Sequence, residues 1–176
     1  MSTPFTRDPD KPHDLIPFNE KLLDQVTDLA RDSDRKRHII RFHELPEPFQ
    51  RMLNAIEPGT YTRPHRHLDP AKAEIFVALR GSALIIRFGD EGEPLEGVVV
   101  AAEGPVRGIE IPIGAWHCLL SLESGTVLFE AKEGPYSPAS DKSFAPWAPP
   151  ETDIEGGKAF IEKLRKHFAS WIPQVI

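Results

Sequence analysis

At 176 residues and 19.7 kDa the chain amounts to one domain, long enough to bury a substantial core. Hydrophobic residues at 40% and charged residues at 27% describe an ordinary globular composition, and a net charge of −6 without a clustered basic face excludes an electrostatic nucleic-acid footprint. The single cysteine, Cys118, excludes an internal disulfide and fits a reducing cytoplasm. No apolar run approaches the ~18 residues of a membrane span, and the N-terminal stretch lacks a charged-then-apolar leader.

Residues 1–18 are dense in Pro and Asp and read as a flexible arm ahead of a single domain over 19–176. From Asn19, a capping residue, NEKLLDQVTDLA places Leu22, Leu23, Val26 and Leu29 at helical spacing. The short basic run Arg35-Lys36-Arg37-His38 reads as a solvated strand entrance. The pattern then changes to period two or short apolar runs: HIIRFHE, QRMLNAIEP, TYTRPHRH, EIFVALRG, SALIIRFGD, GVVVAA, RGIEIPIG, WHCLLSLE and GTVLFEAKEG. Turn signals such as EPG, GDEGEP, PIG and LESG separate them. Short strands at this spacing predict an all-β sandwich or barrel, with its core at about 37–133. Over 134–176 a proline-rich wrap, EGPYSPASDKSFAPWAPPE, precedes GGKAFIEKLRKHFASWI. That last segment aligns Ile161, Leu164, Phe168 and Trp171 along one face of an amphipathic helix.

The chemistry concentrates in PHRHLDPAKAE. On a strand, side chains alternate, so Tyr61, Arg63, His65 and His67 share one face. Two imidazoles buried side by side without a shared partner leave donors and acceptors unmatched, which argues for a common ligand. His13, His38, His43 and His167, standing singly, read as ordinary polar residues. Glu74 is grouped by alternation with Phe76 and Ala78, and His117 starts a strand directly after a Pro-x-Gly turn. Three imidazoles and one carboxylate suit a borderline divalent transition metal. In VLFEAKEG, Glu130 and Lys132 share a face with Leu128; facing inward they form an acid/base pair, and otherwise an ion pair at the rim. Arg63 can hold an anionic group or pair with Glu130, and Tyr61 and Tyr136 either line a mouth or pack. Trp116, on the opposite face from His117, reads as core.

Gly59, His65, His67, Glu74 and Gly81 occupy the places of the first signature of the cupin superfamily, and Pro112, Gly114 and His117 those of the second. Within that superfamily the chain most resembles the WbuC-type cupin metalloproteins, from RKRHIIRFHE to FAPWAPPE. Three features depart from the pattern. Six residues separate His67 from Glu74, enlarging the turn LDPAKA and making Asp69 a rival ligand; Val106 stands where a glycine is expected; and Ser121 replaces the final Asn.

The resemblance implies a double-stranded β-helix, or jelly-roll barrel, with flanking N- and C-terminal helices. It also implies one metal (Fe, Mn, Ni or Zn) on His65, His67, Glu74 and His117, with two positions open to water or substrate. The implied function is a metalloenzyme of isomerase or epimerase type acting on a sugar or sugar-nucleotide-like metabolite, with Glu130 as base. Arg63, Tyr61, Lys132 and Tyr136 are its candidate substrate contacts. The alternatives are an iron-dependent dioxygenase and a non-catalytic metabolite-sensing cupin. A homodimer in the cytoplasm, with a small-molecule ligand and neither nucleic acid nor membrane as partner, completes the expectation.

Overall fold

The period-two segments pair into two facing sheets in the computed structural model of the chain, which describes residues 2–6, 8, 10, 11 and 13–170. The first sheet contains β1 (Ser2–Pro4), β2 (Arg37–Arg41), β3 (Phe49–Ile56), β10 (Thr126–Glu133), β5 (Glu74–Arg80) and β8 (Gly108–Ile111), in that order. The second runs β11 (Ser143–Phe144), β4 (His65–Arg66), β9 (Trp116–Ser121), β6 (Ser82–Phe88) and β7 (Pro94–Ala101). All pairings are antiparallel except β1 with β2, so Ser2–Pro4, inside the segment read as an arm, add a parallel strand at the sheet's edge.

Alternation sorts the side chains into three cores. Between the sheets, Ile56, Phe76, Ala78, Ala83, Ile85, Val100, Ile111 and Leu128 close one end of the barrel. The outer face of the first sheet presents Ile40, Leu53, Ala55 and Val127 to helix α1 (Glu20–Asp32), which answers with Leu22, Leu23, Val26 and Ala30. Asn19 caps that helix by accepting from the Leu22 N–H at 3.1 Å. Leu29, expected on the buried face, is 37% exposed, and Ala30 takes its place. The outer face of the second sheet presents Leu84, Ile86, Phe88, Trp116, Cys118 and Leu120 to helix α2 (Ile154–His167). Ile161, Leu164 and Phe168 pack there as expected, while Trp171 lies outside the described residues. Each sheet therefore buries both faces, and its charged inward residues sit in the interior.

One predicted strand is shorter than its pattern. Of TYTRPHRH only His65–Arg66 joins a ladder. Pro64 has no N–H to donate, and Thr62 replaces backbone pairing with its side chain: its Oγ1 donates to the Leu119 carbonyl at 2.9 Å and accepts from the Leu119 N–H at 3.3 Å. Two glycines meet real constraints. Gly81, at φ +65°, joins β5 to β6 where a Cβ would stand 2.6 Å from the Thr126 hydroxyl. Gly114, at φ +75°, makes the turn from which β9 launches His117.

Candidate metal centre

Three strands and one loop deliver the four predicted ligands. His65 and His117 are register partners across β4 and β9, Glu74 opens β5, and His67 follows β4, its carbonyl tied to the Gly114 N–H at 3.2 Å. One ligand atom from each of His65, His67, Glu74 and His117 lies within 4.8 Å of all the others, and all four residues are buried.

The tautomers are set from outside. His65 Nδ1 faces the Arg63 carbonyl at 3.0 Å, His117 Nδ1 the Ala115 carbonyl at 2.9 Å, and His67 Nδ1 the Asp141 carbonyl. A neutral imidazole that donates from Nδ1 keeps a bare lone pair on Nε2. Those lone pairs turn toward Glu74: its Oε2 is 3.0 Å from His117 Nε2 and 3.6 Å from His67 Nε2. The His67 Nε2 is buried without a hydrogen-bond partner. A lone pair facing a carboxylate oxygen at 3.0 Å is repulsive unless a positive charge stands between them. The donor set thus fits one divalent metal ion, and its imidazoles carry the backbone hydrogen bonds that orient metal-ligating histidines.

The protonation states agree. Burial, and then the nearby Lys142 charge, holds His65 well below the usual imidazole range, so it stays neutral. Burial alone would push Glu74 up, but the Lys132 ammonium at 3.3 Å holds it well below the usual carboxylate range. Two residues before Lys132, Glu130 goes the other way. Burial and the Glu74 charge push it up to about 7, against the pull of Lys132 at 3.1 Å. Lys132 is buried and held above its ordinary value by three carboxylates that outweigh its burial: Glu130, Glu74 and Asp141. A rim position for the Glu130–Lys132 pair is therefore corrected: both residues face the interior, because their strand lies fourth of six in its sheet with both neighbours paired.

A cavity of about 560 Å³ opens on the cluster. It is lined by His65, Glu74, His117, Glu130 and Lys132, and by Arg63 and Tyr136 nearer the surface. Tyr61 is not among its lining residues. Its ring packs on Phe160 and its hydroxyl donates to the Pro149 carbonyl at 2.8 Å, since strand alternation does not reach back past Pro64. Asp69 is exposed in the enlarged turn and outside the ligand cluster. Arg63 does not pair with Glu130, whose partners are Lys132 and the Asn54 amide.

The sequence reading missed Asp141, Lys72 and Asn54. Lys72, from the enlarged turn, is 2% exposed and donates to Asp141 at 2.7 Å and to the Pro135 carbonyl at 2.8 Å. Asp141 also faces Lys132 at 3.3 Å, so the insertion and the C-terminal wrap lock together behind His67. A lysine and an aspartate inside polar loops carried no signal. Asn54, an amide at an inward position of an otherwise apolar strand pattern, was one that could have been read.

Residues 18–100, just under half of the chain, match the family model described as Domain of unknown function (DUF6016). No curated protein matches the chain. Among solved structures, CapF bound to the inhibitor 3-isopropenyl-tropolone superposes with a TM-score of 0.51 at 21% identity, covering 64% of this chain and 32% of that one. A further structure of CapF, a capsular polysaccharide assembling protein from Staphylococcus aureus, gives a TM-score of 0.50 at 21% identity over the same shares. A cupin superfamily protein from Desulfitobacterium hafniense is 10% identical, with a TM-score of 0.47 and coverage of 61% and 86%. The aligned part spans about a third of the CapF chains. The fold is a two-sheet antiparallel jelly roll with flanking helices, similar to CapF over the aligned part, and the four ligand positions stand inside it. No helix among the described residues is long and apolar enough to cross a membrane.

Proposed function

We propose that this chain is a metal-dependent cupin enzyme acting on a small polar metabolite, of sugar or sugar-nucleotide type, by proton transfer as in an isomerase or epimerase. The observation that carries the metal is the convergence of four buried ligand atoms within 4.8 Å, with all three Nδ1 atoms turned to backbone carbonyls. A divalent transition metal (Fe, Mn, Ni or Zn) held by His65, His67, Glu74 and His117 supplies Lewis-acid polarisation of a substrate oxygen.

The remaining work falls to the chain. Glu130 is the one buried carboxyl of the cavity poised near neutrality, so it can take and return a proton at its Oε atoms. Lys132 stabilises its ionised form, and Asn54 orients it by donating to Oε2. A buried proton-transfer group beside the metal ligands favours an enzyme over a sensing cupin. The sugar class follows the WbuC-type resemblance and the role in CapF's name.

The test is metal analysis of chelator-free protein, followed by a turnover screen of sugar phosphates and nucleotide sugars. Glu130→Gln is expected to keep the metal and lose turnover, roughly 10²–10⁴-fold. His117→Ala is expected to lose both. Saturable binding without product under any metal would establish a sensor instead, and oxygen consumption with iron a dioxygenase.

A further inference from the structure

The cavity holds cations that the metal centre does not use. Along β2, Arg37, His38, Ile39 and Arg41 line it, whereas Ile40 packs on the other side against α1. Arg37 has its partners, Glu151 and the Tyr61 carbonyl, each at 2.6 Å. Arg41 has none: among the described residues its guanidinium meets no carboxylate, and its Nε is shielded from water without a hydrogen-bond partner.

Arg63, from the second-sheet side, is in the same condition. One Nη2 donates to the Ala145 carbonyl at 2.7 Å, and the guanidinium lies over the Phe144 ring at 5.4 Å. Its Nε is buried and unpartnered, and no carboxylate pairs with it. Lys142 lines the same space with no hydrogen bond or ion pair among the described residues.

The charge count agrees with this. Six cationic side chains line the cavity against four carboxylates, in a chain whose net charge is −6. Glu151 is taken by Arg35 and Arg37, and Glu74, Glu130 and Asp141 surround Lys132. Arg41 and Arg63 are therefore the cations left without a carboxylate, while Lys142 stands in the field of Glu74, Glu130 and Asp141. A guanidinium Nε kept from water without an acceptor is costly, and the planar fork it belongs to is matched by a carboxylate or phosphate.

The geometry points to a substrate that is a small oxyanion, a carboxylate or phosphate ester on a hydroxylated skeleton, whose charged group is held by Arg41 and Arg63. This rests on the metal-centre reading for the position of the reacting end, but the anion site stands on its own residues. Arg41 and Arg63 are binding residues, separate from the ligand set.

Calorimetry with three probes tests it: glucuronate, glucose 6-phosphate and glucose, each on metal-loaded and on metal-free protein. At least one acid is expected to bind saturably, glucose on the order of tenfold more weakly or worse, and acid binding should fall as salt rises. The better acid tells a carboxylate site from a phosphate site. Arg41→Gln and Arg63→Gln are each expected to cost on the order of tenfold in acid affinity with metal uptake unchanged. Arg41→Lys, which keeps charge but not the fork, should fall between, and Lys158→Gln on the outside of α2 should match wild type. Thermal melts confirm folding of each variant. The proposal is overturned if neither acid binds, if glucose binds as tightly, or if the Arg41→Gln/Arg63→Gln double variant holds the acids like wild type. Wild-type protein that takes up no metal yet binds an acid through these arginines would sink the metal reading and leave this one standing.

Discussion

The two ends of the barrel interior are built from the same strands and behave as opposites. On β10, Leu128 belongs to the closed end with Ile56, Phe76 and Ala78, while Glu130 and Lys132, two and four residues on, belong to the metal end. All three are less than a tenth exposed. The apolar end is held by area removed from water and by close packing, and it tolerates the loss of any single contact at a finite cost. The metal end is held by mutual compensation: Glu74 is charged because of Lys132, and Lys132 because of Glu74, Glu130 and Asp141. Loss of a packing partner costs the volume it leaves, whereas loss of a buried counter-charge leaves the remaining ion unsolvated and costs more.

That contrast can be broken most strongly at Lys132. Lys132→Met strands the ionised Glu74 in the interior without its counter-charge and is expected to destabilise metal-free protein by about 3–5 kcal/mol in urea titrations. The same variant loaded with metal should lose less, because the cation replaces part of the missing charge; an equal loss in both forms would show that the two charges are not coupled. At the other end, Leu128→Ala should cost about 2–5 kcal/mol through the cavity it leaves, equally with and without metal, and leave the metal stoichiometry unchanged. Any dependence of that cost on metal would mean the two ends are one unit.

Metal removal sharpens the comparison from the ligand side. Chelation of protein held at a hundredfold excess of free metal over Kd should remove about 3 kcal/mol, a fall of roughly 5–10 °C in Tm. The smallest effect serves as the control outside both regions. Asn19→Ala removes the α1 cap and should cost about 1 kcal/mol with metal affinity untouched.

The metal end was largely legible before any fold was known. A histidine pair two apart, a carboxylate at an inward strand position and a histidine behind Pro-x-Gly are local features, and period two puts them on one side. The same period misled at Tyr61, where Pro64 interrupts the strand and Thr62 takes over the pairing. Asp141, Lys72 and Arg41 carried no local signal at all. Asp141 reaches His67 across 74 residues and Lys72 across 69, through a wrap whose proline-rich composition says only that it is neither helix nor strand.

By itself, then, the order of residues determined the alternation along most strands, where the first helix starts, and which four side chains can bind a cation, since all of these follow from periodicity, capping and spacing within one segment. Tertiary structure alone decided which charges neutralise one another and which are left over, because Coulomb energy depends on distance through space. Lys132 finds its carboxylates on its own strand, on β5 and in the wrap, and Arg41 and Arg63 find none.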